Sequence, residues 1–510
     1  MKLKISANHG LIFMLVVVSL FAGCKKDFLD RMPQGQYTTE NYPYPGGSGP
    51  YDTYLMGAYS ELRSFDVHSQ SFICATSIRS DDAEKGSDPA DGGANAIQMD
   101  NFPVSPDNGF ANSLWKGYFN FVNKCNIALD QIKNNAAIEA TPEIKTQAEA
   151  EAKFLRGYAY FNLVRFFGRV PLVDSVFSNS VSESNVPQSS AAAIYTLIES
   201  DLQFAAANLP PSWDAKFVGR ATMGAANGLL AKVYLTQQKW GPAMATASLV
   251  INSGQYSLIS YDTEFREQGE NSMESVFEVQ ATATAAIPND IGVQYAQIQG
   301  IRGAGAWNLG WGWNTPSPDL ANNAYEPGDP RKTRTILFTS TSDTTYKTIY
   351  GEDIPVGLTN PMYNNKVYTN PAMRASIGNL SGYWFNVRIL RYADVLLMYA
   401  EAANETGNPA EALAKLEMVR ARARAGNNAI LPPVTTTDQA LLRDAIRHER
   451  RVELAMEHDR FFDLVRWGIA GDRLQAVGKT SFNESRDVLL PIPQTQIDLS
   501  KGVLTQNPGY

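Results

Sequence analysis

Two histidines stand among arginines and carboxylates in IRHERRVELAMEHDRFFDLVRWG, residues 446–468. A His-Glu pair can open a zinc-protease motif, in which a second His four residues on completes the metal pair and the Glu serves as base. Here His448-Glu449 is followed by Arg450, Arg451 and Val452, and His458 lies nearly three turns away along any continuous helix. The metal geometry fails. Glu449, Arg450, Glu453, Glu457, Arg460, Asp463 and Arg466 alternate in charge at near-helical spacing, which predicts a scaffold helix held to its neighbours by ion pairs. No CxxC or Cys/His cluster occurs either, which excludes a structural zinc site.

A second chemistry is carried by aromatics. In WNLGWGWN, Trp307, Trp311 and Trp313 alternate with Gly and Asn beside Arg302 and Asn308. Capturing a sugar needs a flat apolar face for its CH-rich side and directional partners for its hydroxyls. On extended backbone Trp311 and Trp313 point the same way and would form such a platform. Packing of the loop onto helices is the competing reading for these two. Trp307 and Tyr295, in less repetitive sequence, are the favoured contacts. Asp82, Glu84, Asp88 and Asp91 offer oxygen ligands for calcium, but their spacing matches no EF-hand loop; a solvated acidic turn is expected. Asp290 and Asp319 lie near aromatics without a hydrolase motif, and hydrolysis would need two carboxylates about 5–10 Å apart across one sugar.

These residues need elements to position them. The 510 residues are 44% hydrophobic and 19% charged, a globular composition able to bury a large core. Net charge is −8 with no basic block, so nucleic acid is not an expected partner. Helical stripes run through Leu114, Tyr118, Phe121, Cys125 and Ile132, and through Ala148, Ala152, Leu155, Ala159, Leu163 and Phe166. Others follow at 194–209, 223–233 and 240–251. LAKVYLTQQKWGPAMATASLVI resembles a tetratricopeptide hairpin of roughly 34 residues. YAEAANETGNPAEALAKLEMVRARA repeats it at a constant offset, matching Ala231 to Ala400, Ala243 to Ala412 and Val250 to Val419. Small residues there let paired helices approach closely. Trp240 belongs to the repeat, and Trp115 and Trp467 to packing.

The expected fold is therefore mainly α. A tetratricopeptide-like scaffold carries a long irregular, partly β insertion at 268–388, with RTILF and SVFEVQ as short strands. The scaffold parts are 51–267 and 389–510. At the N-terminus Lys2 and Lys4 precede an apolar run from Leu11 to Phe21, too short to span a bilayer but suited to a signal peptide. Its end, LFAGC, resembles a lipobox: residues 1–23 are removed, Cys24 takes the lipid, and 24–50 form an arm. Loss of Lys2 and Lys4 moves the formal charge from −8 to −10. Cys74 and Cys125 remain, either paired or, as favoured here, separate buried hydrophobes.

Six segments together resemble the SusD/RagB family of Bacteroidetes outer-membrane nutrient-binding lipoproteins. They are CKKDFLDRMP, YFNLVRFFGRVPLV, GRATMGAANGLLAKVYL, LRYADVLLMYAEAANETGNP, RHERRVELAMEHDRFFDLVRWG and LLPIPQTQIDLSKGVLTQNPGY, in that order from Cys24 to Tyr510. The resemblance implies a SusD-like fold, a non-enzymatic role without cofactor or metal, and a lipid anchor on the extracellular side of the outer membrane. It also implies an oligosaccharide or polysaccharide ligand and a SusC-like TonB-dependent transporter as partner. It makes the stretch after the first helices part of the ligand face, adding Asp81 and Phe102 to the candidates, and 446–468 a structural signature. A surface glycoside hydrolase is the alternative.

Overall fold

The computed structural model describes residues 46–177, 185–289, 292–340 and 346–510. Cys24, its arm as far as Pro45, and Asp290 lie outside the described residues. Among those described, nine helices have ten residues or more: α1 (Asp52–Glu61), α2 (Gly109–Asn134), α3 (Pro142–Phe167), α4 (Ala191–Asn208), α5 (Met223–Thr236), α6 (Trp240–Ile251), α7 (Tyr392–Glu405), α8 (Pro409–Arg424) and α9 (Gln439–Leu454). Their starts are written in side chains that accept otherwise orphaned N–H groups. Asn108 caps α2, Thr141 caps α3 with Pro142 in its first turn, Ser190 caps α4, Thr222 caps α5 and Asp438 caps α9. None of the described helices is long and apolar enough to cross a membrane.

The helices pack in a row, each on the next from α2 to α8, with α1 on α2 and α9 on α7. The two repeat copies, α5–α6 and α7–α8, are far apart in sequence yet stacked directly, α6 on α7. Ala231, Ala243, Ala247, Ala400 and Ala412 are fully buried at these crossings, where no larger side chain is needed to fill the gap between backbones. The predicted stripes of α2 and α3 are the buried faces of those helices.

The segment between α6 and α7 leaves the row and returns to it. Its short strands form two-stranded antiparallel ribbons, with β1 (Ala83–Gly86) coming from the N-terminal part. β2 (Ser275–Val279) pairs with β6 (Val387–Arg391), β3 (Trp313–Pro316) with β1, and β4 (Ile336–Phe338) with β5 (Met362–Asn364). Both expected strands are present, although the Arg and Thr of RTILF close a helical turn, Arg331–Thr335, before β4 begins. Residues 268–388 belong to the same compact unit as the helices, Pro50–Tyr510. Cys74 and Cys125 are buried and unpaired, in favour of the two-hydrophobe reading.

Candidate functional site

The charged signature is the expected lock against neighbouring elements, although it does not lie on one continuous helix. α9 ends at Leu454, and Met456 and His458 take φ of +68° and +74°, so the chain turns before the next short helix, Arg460–Arg466. The ion pairs reach across the fold to other elements. Glu453 accepts from Arg331 at 3.2 Å, Arg391 at 3.1 Å and Arg422 at 2.5 Å. Arg450 bridges Asp394 and Asp463, and Arg466 binds Glu401. Burial alone would raise the Glu453 pKa, but Arg422, Arg391 and Arg331 outweigh it and hold the carboxyl well below its usual range.

His458 is buried and hydrogen-bonded on both ring nitrogens. Thr76 donates its hydroxyl to the Phe72 carbonyl and so accepts from His458 Nδ1, at 3.2 Å; the Tyr295 hydroxyl then donates to Nε2, at 2.7 Å. The ring is neutral, and burial pushes its pKa down to about 3. His68 is bound likewise, between the Leu62 carbonyl and the Tyr158 hydroxyl. His448 is half-exposed, 3.5 Å from Glu326. Among the described residues no group of three or more His, Cys, Asp or Glu is placed to hold a metal. Asp82 is bound by Arg451 and Asp91 by Arg302, so the acidic residues of the Ser80–Pro103 stretch do not converge.

The aromatic candidates divide sharply. Tyr295 is 5% exposed, with its hydroxyl on His458, and burial raises its pKa. Phe102 is buried between Phe461, Phe482 and the Arg79 guanidinium. Asp81 is fully buried and held bidentately by Arg460, at 2.7 and 2.8 Å, with Arg473 at 3.0 Å. Trp313 is 3% exposed, beneath Lys85 and edge-on to Phe110. The expected Trp311–Trp313 platform is corrected: Gly312 has φ +75°, which is not extended backbone, and the two rings differ in exposure. A β-carbon on Gly92 would lie 2.4 Å from the Trp313 ring, so a glycine is required where that ring is enclosed. Tyr295, Phe102, Asp81 and Trp313 are all buried among other side chains.

Trp307, Asn308, Arg302 and Trp311 are brought together on one loop, residues 300–312. Its neck is closed by backbone bonds from Leu309 and Gly310 to the Ile301 carbonyl, from Gly312 to Gly300 and from Trp311 to Gln297, all 2.8–2.9 Å. The neck sits on Leu337, Tyr363 and Tyr368. Its tip is the short turn Gly305–Trp307, where residues 304–306 and Asn308 are exposed and Trp307 is half-buried. At the base, Arg302 pairs with Asp91 and donates to Ser87 Oγ at 2.8 Å. The Ser87 hydroxyl also lies 2.6 Å from the Trp311 carbonyl.

Other segments of the chain adjoin this surface, and the sequence offers little sign of them. Leu358 packs with Trp307 in the same cluster, beside Val356, which is 92% exposed. Asn360 reaches the Gly312 carbonyl at 3.4 Å. Next to Trp311, Gln297 accepts from Tyr383 at 2.9 Å and donates to Ser381 at 3.2 Å. GNLSGYWF, which holds Tyr383, has the Gly/Ser/aromatic character that marked the tryptophan loop. Elsewhere, clefts of about 190 and 400 Å³ flank Gly219–Arg220. Their strongest polar group, Arg220, is consumed by Glu151 and Asp52, and Trp213 Nε1 by the Ala221 carbonyl. The loop thus combines half-exposed indoles with amide, hydroxyl and guanidinium groups, an arrangement that can stack on and hydrogen-bond a polyol.

Two family models match the chain. Residues 273–510 match the SusD family model, and residues 64–235 match the model described as starch-binding, associating with outer membrane. The chain belongs to the SusD family. SusD-like relatives align along its length: SusD-like protein P2 of Formosa agariphila is 26% identical, covering 99% of this chain and all of the relative. Among solved structures, a laminarin binding SusD-like protein superposes with a TM-score of 0.75 at 29% identity, covering 90% of this chain and 99% of that one. Surface glycan-binding protein A from Bacteroides thetaiotaomicron, solved in complex with laminarihexaose, gives a TM-score of 0.74 at 25% identity, covering 90% and 98%. The mainly α SusD fold anticipated from the six sequence segments is the fold observed.

Proposed function

We propose that this SusD-family protein is a lipoprotein of the outer-membrane surface that binds a glycan on the 300–312 loop and passes it to a SusC-like TonB-dependent transporter. The observation that carries the reading is the likeness, over nine-tenths of the chain, to a laminarin binding SusD-like protein. The half-exposed Trp307 with Asn308, Arg302 and Trp311 supplies a surface of suitable chemistry. An uncharged β-glucan of the laminarin type is the first ligand to test, by calorimetry on protein beginning after Cys24.

Binding without hydrolysis is favoured by the state of two carboxylates, Asp91 at the loop and Asp319. Asp91 is engaged by Arg302, and Asp319 by Arg451 and Arg473. Burial would raise the Asp319 pKa, but hydrogen bonds from Asn323 and Arg451 and the arginine charges pull it below the usual value. A carboxylate kept ionised is a poor general acid for a glycosidic oxygen. Release of reducing sugar from a glycan that binds would overturn this part. The anchor rests on LFAGC: Cys24→Ala is expected to move the protein from the membrane fraction to the soluble one or to stall processing. A processed, membrane-bound mutant would contradict it.

A further inference from the structure

We infer that Asp91, with Ser87 and Arg302, is a charge filter that makes the platform select uncharged glycans and turn away anionic ones; this rests on the platform being the glycan site. An arginine beside stacking aromatics would ordinarily attract carboxylates and sulfates, because its planar fork matches them. Here the Arg302 charge is already answered. NH1 pairs with Asp91 Oδ2 and donates to Ser87 Oγ at 2.8 Å, and the Ser87 hydroxyl lies 2.6 Å from the same carboxylate. Ser87 is fixed for this task at φ +56°, a conformation uncommon for a residue with a side chain, by its N–H bond to the Gly312 carbonyl at 2.6 Å.

The neighbouring charges strengthen the effect. Asp88 is exposed and shares a turn with Asp91, whose N–H donates to the Asp88 carbonyl at 3.0 Å. The Lys85 ammonium is turned inward to the Asp88 and Asp91 carbonyls, over the Trp313 ring. An anionic sugar approaching Arg302 therefore meets Asp91 at once, with the exposed Asp88 in the same turn, and like charges brought together oppose binding. A neutral sugar meets no such opposition. The Arg302 and Asp91 side chains are 38% and 32% exposed, presenting a donor and an acceptor side by side, which suits adjacent hydroxyls that each give and take a proton.

The test compares laminarihexaose with sulfated laminarin on the protein beginning after Cys24, on Asp91→Asn and on Trp307→Ala, with melting temperatures to confirm folding. Wild-type protein is expected to favour the neutral ligand by about tenfold or more. Asp91→Asn, which leaves Arg302 uncompensated, should shift the ratio of affinities toward the sulfated ligand by about tenfold, and salt should abolish the shift. Equal wild-type binding of both ligands at a site that Trp307→Ala removes would leave the platform standing and sink the filter. An unchanged ratio in Asp91→Asn would do the same. Binding that survives Trp307→Ala, or no binding of the neutral ligand, would count against the platform and the filter together.

Discussion

Residues 446–468 and the 300–312 loop are both crowded with side chains capable of chemistry, and they use them in opposite ways. In the signature segment each buried ionisable group meets another group of the protein: Glu453 takes three arginines, Arg450 two aspartates, and the neutral His458 a threonine and a tyrosine. In the loop it is the backbone that is satisfied internally, through the bonds at its neck, while Trp307 and Asn308 stand at the tip. The difference separates a scaffold from a proposed binding surface where residue type does not. Arginine and tryptophan occur in both.

The comparison can be broken first at its most buried point. Glu453→Ala would leave Arg331, Arg391 and Arg422 facing one another without the carboxylate they share, and stranding buried charge typically costs about 3–5 kcal/mol. Chemical denaturation should show a loss of that order, while protein that remains folded keeps its glycan affinity. Trp313→Ala is the next test. Removing a ring enclosed by Gly92, Lys85 and Phe110 should destabilise by about 3 kcal/mol or more, in contrast to Trp307→Ala. Equal effects of the two substitutions on melting temperature would erase the distinction between foundation and platform.

A smaller effect concerns pH. The His458 pKa is depressed to about 3 in the folded protein, so the unfolded chain binds its proton first as pH falls below about 6.5. Stability from a neutral His458 is thus full above about 6.5 and is lost toward 3, on the order of 2 kcal/mol by pH 5. Glu270 works in the other direction, since burial raises its pKa to about 7 and protonating it favours the folded state. The readout is therefore the stability difference between wild type and His458→Asn, which should shrink by that amount from pH 7.5 to 5. A difference independent of pH would mean that the ring is not held neutral.

The helical scaffold was legible because its signal is local. Leu114, Tyr118, Phe121 and Cys125 face one side of α2 whatever lies opposite, and the offset of Ala231 from Ala400 marks two equivalent hairpins. That α6 packs on α7 is a matter of tertiary structure, and spacing cannot report it. The charge spacing points to a lock against neighbouring elements, and Arg450 and Arg466 do pair with Asp394 and Glu401 of α7; spacing cannot name more distant partners, such as Asp81, which Arg460 meets across 379 residues of sequence. The tryptophan loop drew notice by composition, yet which indole faces outward depends on Gly312 leaving extended backbone and on Gly92 making room for Trp313. Tyr383, Asn360 and Asp91 reach the surface from other parts of the chain, and only the fold brings them there.

The most direct test of the account is calorimetric titration of laminarihexaose into Trp307→Ala beside a His448→Ala/His458→Asn double variant. Losing a stacking anchor removes about 2 kcal/mol of binding, or at least a tenfold weaker affinity. The account therefore predicts that loss for Trp307→Ala with its melting temperature nearly unchanged, and wild-type affinity for the double variant at neutral pH despite reduced stability. Intact binding by Trp307→Ala together with lost binding by a folded double variant would contradict it.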